Sequence, residues 1–269
     1  EIENPWKIVL LVDDSKITRP VLQQVDEVLR RYTEGSEHIS VQRINPANPN
    51  SIEQYNLLLL ELINLYGDEL LHAETEINNG IAQFSLLMTF GSSTSAWAES
   101  LLEIQSTKDE QETLRALSSA LALLGSEGGL ILDEVDKAMR VDESQPLPQL
   151  ALSRDILVAA MGQWSRELAE VAGWLSQERS DSIATICANE VPSFELMAMN
   201  LSRVEDNLRM LGELELGQLA SQLTVGEGAI ILSPNRATMI PVNLLLPEQL
   251  GGSNTIAVDQ RFRGEQIIS

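Results

Sequence analysis

The hydrophobic pattern divides the chain into a strand-bearing start, a long helical middle and a strand-bearing end. Residues 7–13, KIVLLVD, form an apolar run too short and too uniform for an amphipathic helix, and predict a buried strand. The next stretch, ITRPVLQQVDEVLRRYTEG (17–35), places Val21, Val25, Val28 and Leu29 on one helical face. Pro20 suits its first turn and Gly35 its C-terminal end. HISVQRI (38–44) alternates with period two, as a half-buried strand does, and NPANPN (45–50) is a breaker. The start therefore reads β-α-β with parallel strands.

From Ser51 to about residue 225 the strand signal nearly vanishes. Ser51 and Gln54 have the spacing of a capping box in front of a long helix. Its stripe runs Leu59, Ile63, Tyr66, Leu70, Ile77, Ile81, Phe84 and Met88. A second helix carries Leu114, Leu117, Leu121 and Leu124, GSEGG (125–129) interrupts it, and a shorter piece follows through Val135 and Met139. After a QPLP linker (145–148), Leu157, Met161, Trp164, Leu168, Val171 and Leu175 alternate at four and three. A last helix, after Pro192 and Ser193, repeats the rhythm with Met197, Leu201, Val204, Leu208 and Leu211. Such stripes are seams for packing helix on helix, as coiled coil or bundle.

Strand character returns after Gly226, where AIILS (229–233) and RATMIPV (236–242) flank a Pro234-Asn235 turn. TIAVDQRF and GEQIIS follow, the latter read as the start of a helix. With the helical middle reduced to one crossover, the order is that of a thioredoxin-like α/β domain, β-α-β-α-β-β-α. The fold class expected is thus α/β with a long, mainly helical coiled-coil or bundle insertion, helix-dominated overall. Its parts are 1–50, the first half of the α/β domain; 51–225, the insertion; and 226–269, the second half.

Composition narrows the function. Forty acidic against 18 basic residues give a net charge of −22 in 269 residues. A nucleic-acid binder needs Lys and Arg to displace counterions, and an anionic membrane surface would repel this chain. The one cysteine, Cys187 in SIATICANEV, excludes an internal disulfide and a zinc cluster and reads as a small buried hydrophobe. No apolar run approaches the ~18 residues that span a bilayer. A chain that opens on Glu1 and stops at Ser269 in a helix-like segment is read as a piece of a longer protein whose anchors lie outside it.

Chemical motifs are few. An apolar strand ending in Asp13 and Asp14 is how a phosphate-accepting receiver begins. Such a domain needs a further phosphoacceptor Asp, and NSIEQYNLLLLELINLY (50–66) is helical and holds none. A metal-dependent adhesion site wants Asp-x-Ser-x-Ser, whereas the series here is Asp13, Ser15, Ile17. The aspartates are read instead as ending the strand, with Ser15 or Thr18 capping the next helix. Where a thioredoxin carries CxxC, this chain has DDSKIT, without a thiol. His38 and His72 lie near no nucleophile motif and are read as structural, and neither GxxxxGK[ST] nor GxGxxG occurs. Trp97, Trp164 and Trp174 are read as core or seam residues. The expectation is no catalytic residue, no metal and no cofactor.

VDEVLRRYTEGSEHISVQRINPANPNSIEQY resembles the opening of GldG-like ABC transporter auxiliary domains. GEGAIILSPNRATMIPVNLLLPEQL, with DQRFRGEQIIS after it, is similar to that family's hairpin and its F-x-GEQ-x-I-T/S lead into a helix. The matching residues are Phe262, Gly264, Glu265, Gln266, Ile268 and Ser269. The likeness covers about residues 6–50 and 226–269, with the middle alike only in its Leu- and Ala-rich character. A short strand segment that usually follows the Asp-Pro turn is replaced here by helix. The resemblance implies a non-enzymatic, membrane-anchored accessory domain outside the cytoplasm, periplasmic in a bacterial inner-membrane protein. Its implied partners are an ABC permease and ATPase. Self-association through the insertion is a second partner expectation, and a coiled-coil scaffold unrelated to transport is the alternative function. A metal-binding or enzymatic domain around Asp13 and Asp14 comes third.

Overall fold

The computed structural model describes residues 4–17, 19–104, 107–142, 144–177 and 181–245. In chain order the first elements are β1 (Trp6–Leu11), α1 (Arg19–Gly35), β2 (Ile39–Ile44), α2 (Ile52–Leu65) and α3 (Gly67–Leu101). There follow α4 (Lys108–Met139), α5 (Leu150–Leu175), α6 (Asp181–Met210) and α7 (Glu215–Val225). β3 (Gly228–Leu232), β4 (Ala237–Pro241) and the short α8 (Val242–Leu245) complete them. They form two compact units: Glu1–Gly67 with Val141–Leu147 and Glu215–Ser269, and Asp68–Arg140 with Pro148–Leu214. The first unit takes in residues 51–67 and 215–225, which the sequence pattern groups with the helical insertion.

The first unit is built on a four-stranded mixed sheet of order β2-β1-β3-β4. β1 runs parallel to β2 and antiparallel to β3, and β3 pairs antiparallel with β4, so that Ile8 stands between Val41 and Ile231. Side chains alternate across a strand. Ile8 and Leu10, with Val12 beyond the strand end, meet the Val21, Val25, Val28 and Leu29 stripe of α1, together with Ala229 and Leu245. Val9 and Leu11 point the other way and are buried as well, with Ile230, Leu232 and Met239. From Ile8 to Val12 this central segment is covered on both faces and has no polar position, hence the unbroken apolar run. On this second face α2 is tied to the sheet by Lys7–Glu61 (2.6 Å) and by Tyr66, and α7 packs on β4.

Two expectations fail around α2. Ser51 makes no side-chain cap; it is the last residue of a 3-10 turn, Pro49–Ser51, whose own cap is Asn48 accepting from the Asn50 N–H. The long stripe also breaks. α2 ends at Leu65 with Tyr66 as its C-cap, and α3 starts anew at Gly67, which resets the helical phase. The buried positions are therefore Leu58, Leu62 and Tyr66, then Ala73, Ile77, Gly80, Phe84, Leu87 and Gly91. Leu59, Ile63, Leu70, Ile81 and Met88 are only half-buried.

The second unit is a four-helix bundle in which each helix lies antiparallel to its neighbours. Ser95 on α3 donates to the Ser118 carbonyl on α4 (3.0 Å), and the Gln149 N–H donates to Ala138 across the α4–α5 connection (2.8 Å). Ser165 on α5 donates to Ala198 on α6 (3.0 Å). Phe194 on α6 meets Phe90 edge-on at 5.2 Å and Trp97 at 6.2 Å, closing the ring back to α3. Leu114, Leu117, Leu121 and Leu124 are buried as predicted, as are Leu157, Met161, Leu168, Leu175, Leu201, Val204 and Leu208. Trp164, Val171, Met197 and Leu211 are partly exposed.

Three further expectations are corrected here. GSEGG does not interrupt α4, which is continuous from Lys108 to Met139 and opens on a capping box between Thr107 and Glu110. Pro192 does not precede the last helix but lies inside α6. Its missing N–H removes one ladder bond, yet Ile183 and Cys187 before it and Phe194 and Ala198 after it are all buried, so packing holds the helix on course. Finally, an 18-residue window of α4 has a mean hydropathy of 1.2, apolar enough by length and composition to cross a membrane. The sequence reading passed over it because serines and glycines dilute the run; in the bundle its leucine stripe packs against the other helices.

Candidate functional site

The turn after β1 is where the sequence concentrates its polar groups. The Asp13 carboxylate accepts from the Ser15 N–H (3.0 Å) and from the Ser15 hydroxyl (2.7 Å), capping a 3-10 turn, Asp14–Lys16. This is the local hydrogen bonding that favours Asp in turns. Asp14 has one buried carboxylate oxygen, facing the Arg43 Nε at 3.8 Å, an ion-pair separation too long for a hydrogen bond. Arg43 in turn bonds Asp26 on α1 at 2.7 Å. Ser15 thus belongs to the turn and not to α1; Thr18, the other expected cap, lies outside the described residues. Asp13 thus holds the turn itself together, and Asp14 faces β2 through Arg43, which continues to α1. Among the described residues, no three His, Cys, Asp or Glu side chains come together to hold a metal ion.

At the opposite end of β1 a cleft of about 580 Å³ opens beside α2, lined by Trp6, Lys7, Ser40, Glu61, Leu65 and Pro234 among others. The Trp6 ring is 38% exposed, and the Lys7 ammonium is neutralised by Glu61. Close by, the buried Tyr66 hydroxyl accepts from the Ala237 N–H (2.8 Å) and donates to the Glu215 carboxylate (3.1 Å), which pairs with Arg236 at 3.5 Å. This hub ties the end of α2 to β4 and α7. Tyr55, higher on α2, has its phenol pushed up by burial.

The remaining candidates lie apart. Cys187 is buried in α6, as expected of a small hydrophobe. His38 and His72 are both exposed, one before β2 and one on α3, and serve no interior role. Phe262, Gly264, Glu265 and Gln266, the family-motif residues, lie outside the described residues, as do Ile268 and Ser269.

What sequence reasoning missed is on the bundle. A groove of about 450 Å³ runs between α4 and α5, floored by Thr113, Ala116, Ala120 and Trp174 and edged by Glu167 and Glu170. A second, of about 410 Å³, lies between α5 and α6 and is lined by small residues with Met199 and Glu195. Comparison with known proteins finds no matching family model, no similar curated protein and no similar solved structure.

Proposed function

We propose that this chain is a non-enzymatic, extracytoplasmic domain of an ABC transporter accessory subunit, held at a bacterial inner membrane by anchors outside this sequence. Its α/β unit would organise the complex, with the permease and ATPase as partners. The observation that carries the reading is the way the sheet unit is interrupted. A parallel β1–β2 pair joined through α1, then a β3–β4 hairpin, supports our reading of the sheet unit as a thioredoxin-like β-α-β-α-β-β-α chain. The crossover between β2 and β3 is opened in sequence, after α2 and before α7, by a complete four-helix bundle. Where that fold would carry its reactive thiols, the turn here has its carboxylates engaged in its own caps and in Arg43.

One form of the idea is set aside. An arm that offers the stripes read from the sequence as one open leucine seam is not the form proposed, because those stripes are mostly buried within the bundle of a single chain. The test is to isolate the full-length parent from its native membrane in mild detergent and identify what accompanies it. An ATPase and a permease in stoichiometric amounts are expected. Recovery alone as an oligomer would refute the accessory role and favour a self-associating scaffold.

A further inference from the structure

The apolar stripe that packs α4 into the bundle is not the only one it carries. Ala116, Ala120, Leu123, Glu127 and Leu130 repeat the same four-three rhythm on the outward side, all exposed. Leu123 is 53% and Leu130 64% exposed although α4 already buries Leu114, Leu117, Leu121 and Leu124. The first two of these outward positions, Ala116 and Ala120, line the α4–α5 groove, whose floor includes Trp174 and whose edge carries Glu167 and Glu170. Small residues beside an indole leave room for incoming side chains, and apolar surface at helical spacing is what an amphipathic helix recognises.

We propose that this groove is a docking surface for a basic amphipathic helix of a partner protein. The chemistry selects the occupant. The groove is walled by two helices whose backbone hydrogen bonds are internal, so an extended peptide would find no partners for its own N–H and C=O groups. A helix brings its backbone already satisfied. Lysine and arginine stems can lie along the apolar floor while their charges reach Glu167 and Glu170. Lipid phosphates and nucleic acid would meet those carboxylates with like charge. A second copy of a chain of net charge −22 would bring more carboxylates to the same place. The α4 lining of the groove spans Thr113–Ala120, and the exposed series continues from it to Leu130, so that the face runs roughly 25 Å in all, enough for about five turns of a docked helix. The inference does not depend on the transporter assignment, because it names the partner by its chemistry.

The test uses the whole 269-residue chain and a fluorescent Leu/Lys peptide of about 18 residues, its leucines at four-three spacing, with a mirror peptide carrying Glu for Lys. Binding is read by anisotropy and peptide helicity by circular dichroism. The Lys peptide should bind and become helical, and the Glu peptide should not bind. Glu167→Lys with Glu170→Lys should weaken the Lys peptide about tenfold or more and let the Glu peptide bind. Ala120→Glu, which fills the floor with a longer side chain at an exposed helical position, should weaken the Lys peptide and decides the matter if the double variant does not fold. Glu99→Lys with Asp206→Lys changes the net charge equally at exposed positions elsewhere on the bundle and should leave binding within about twofold. Equal loss from both charge pairs would reduce the effect to nonspecific attraction and overturn the proposal. So would binding indifferent to Ala120→Glu. Concentration-dependent dimers, or flotation with anionic vesicles, that Ala120→Glu abolishes would give the groove to a second copy or to a membrane and overturn it equally.

Discussion

Gly128 and Gly129 sit side by side in α4, and their surroundings give them opposite responses to one methyl group. A Cβ on Gly129 meets nothing within 4 Å. Gly129→Ala should therefore gain the ordinary helix-interior difference, about 0.5–1 kcal/mol. A Cβ on Gly128 would stand 2.9 Å from Met88 Cγ, 3.1 Å from its Sδ and 3.4 Å from Phe84 Cε1. The same backbone gain is then opposed by overpacking of about 1–3 kcal/mol. Phe84 is fully buried and cannot retreat, whereas Met88 is half-buried and can yield in part. The net expectation for Gly128→Ala is a loss of about 0–2 kcal/mol, leaving the two variants about 1–3 kcal/mol apart. Urea unfolding of the whole chain, followed by far-UV circular dichroism, reads the difference in the transition of the bundle. With a slope of about 2–3 kcal/mol/M, the midpoints should separate by about 0.3–1.5 M. Adding Met88→Ala to Gly128→Ala should recover the overpacking part. If both alanines stabilise equally, α3 and α4 do not approach closely at Gly128. If both destabilise equally, GSEGG is the break its composition suggests and the continuity of α4 is wrong.

Three other outcomes are expected. Tyr66→Phe strips the buried Ala237 N–H of its acceptor and should cost about 1–3 kcal/mol in thermal unfolding; an unchanged midpoint would mean that the hub is dispensable. Glu27, exposed on α1, has its carboxyl held below the ordinary 4.5 by hydrogen bonds from Arg30 and then Arg31. The folded state therefore binds that proton more weakly than the unfolded one. The resulting stabilisation is present above about pH 4.5 and lost as pH falls through the lower folded value. The stability difference between wild type and Glu27→Gln should thus be flat at neutral pH and vanish in acid, and a constant offset across the titration would refute the coupling. Asp13→Ala should lose about 1 kcal/mol of turn capping. Millimolar calcium or magnesium should move neither its melting midpoint nor that of the wild type, whereas a rise confined to wild type would revive a metal site at this turn.

How much of this was legible in the sequence depends on how many faces each element buries. β1 declared itself because both of its sides are covered, and α1 because only one is. The hairpin was marked by Pro234-Asn235, and the Ser233 N–H indeed bonds the Arg236 carbonyl across it at 2.8 Å. Helix lengths were harder. Gly125, Gly128 and Pro192 are breakers by composition, yet here they lie within helices. A Cβ on Gly125 would meet the Ser92 hydroxyl at 2.6 Å, and one on Gly128 would meet Met88, so both glycines serve the approach of α3 to α4. Close approach and flexibility call for the same residue, and only the neighbouring helix distinguishes them. The break at Tyr66 was hidden for the converse reason, since a tyrosine at a helix end looks like any other stripe residue.

The Asp13-Asp14 pair and the outward face of α4 show two ways in which a site escapes local reading. Paired aspartates after a strand are conspicuous because carboxylates do chemistry, but the same oxygens cap turns, and their role is decided by Ser15 and Arg43, one adjacent and the other on β2. α4 poses the opposite problem. It carries the four-three rhythm twice, at 114, 117, 121 and 124 and again at 116, 120, 123, 127 and 130, three or four of every seven residues in all. Periodicity assigns an apolar residue to a stripe without saying which stripe faces inward. The all-leucine series is buried, and the series diluted by alanine and Glu127 is left exposed. That dilution is the signal a reader could have used. A face kept free of lysine and arginine over four turns, in so acidic a chain, has fewer charges than solubility requires. The groove beside it adds Glu167 and Glu170 to the Glu127 of that face, and together they define the charge a partner would have to bring.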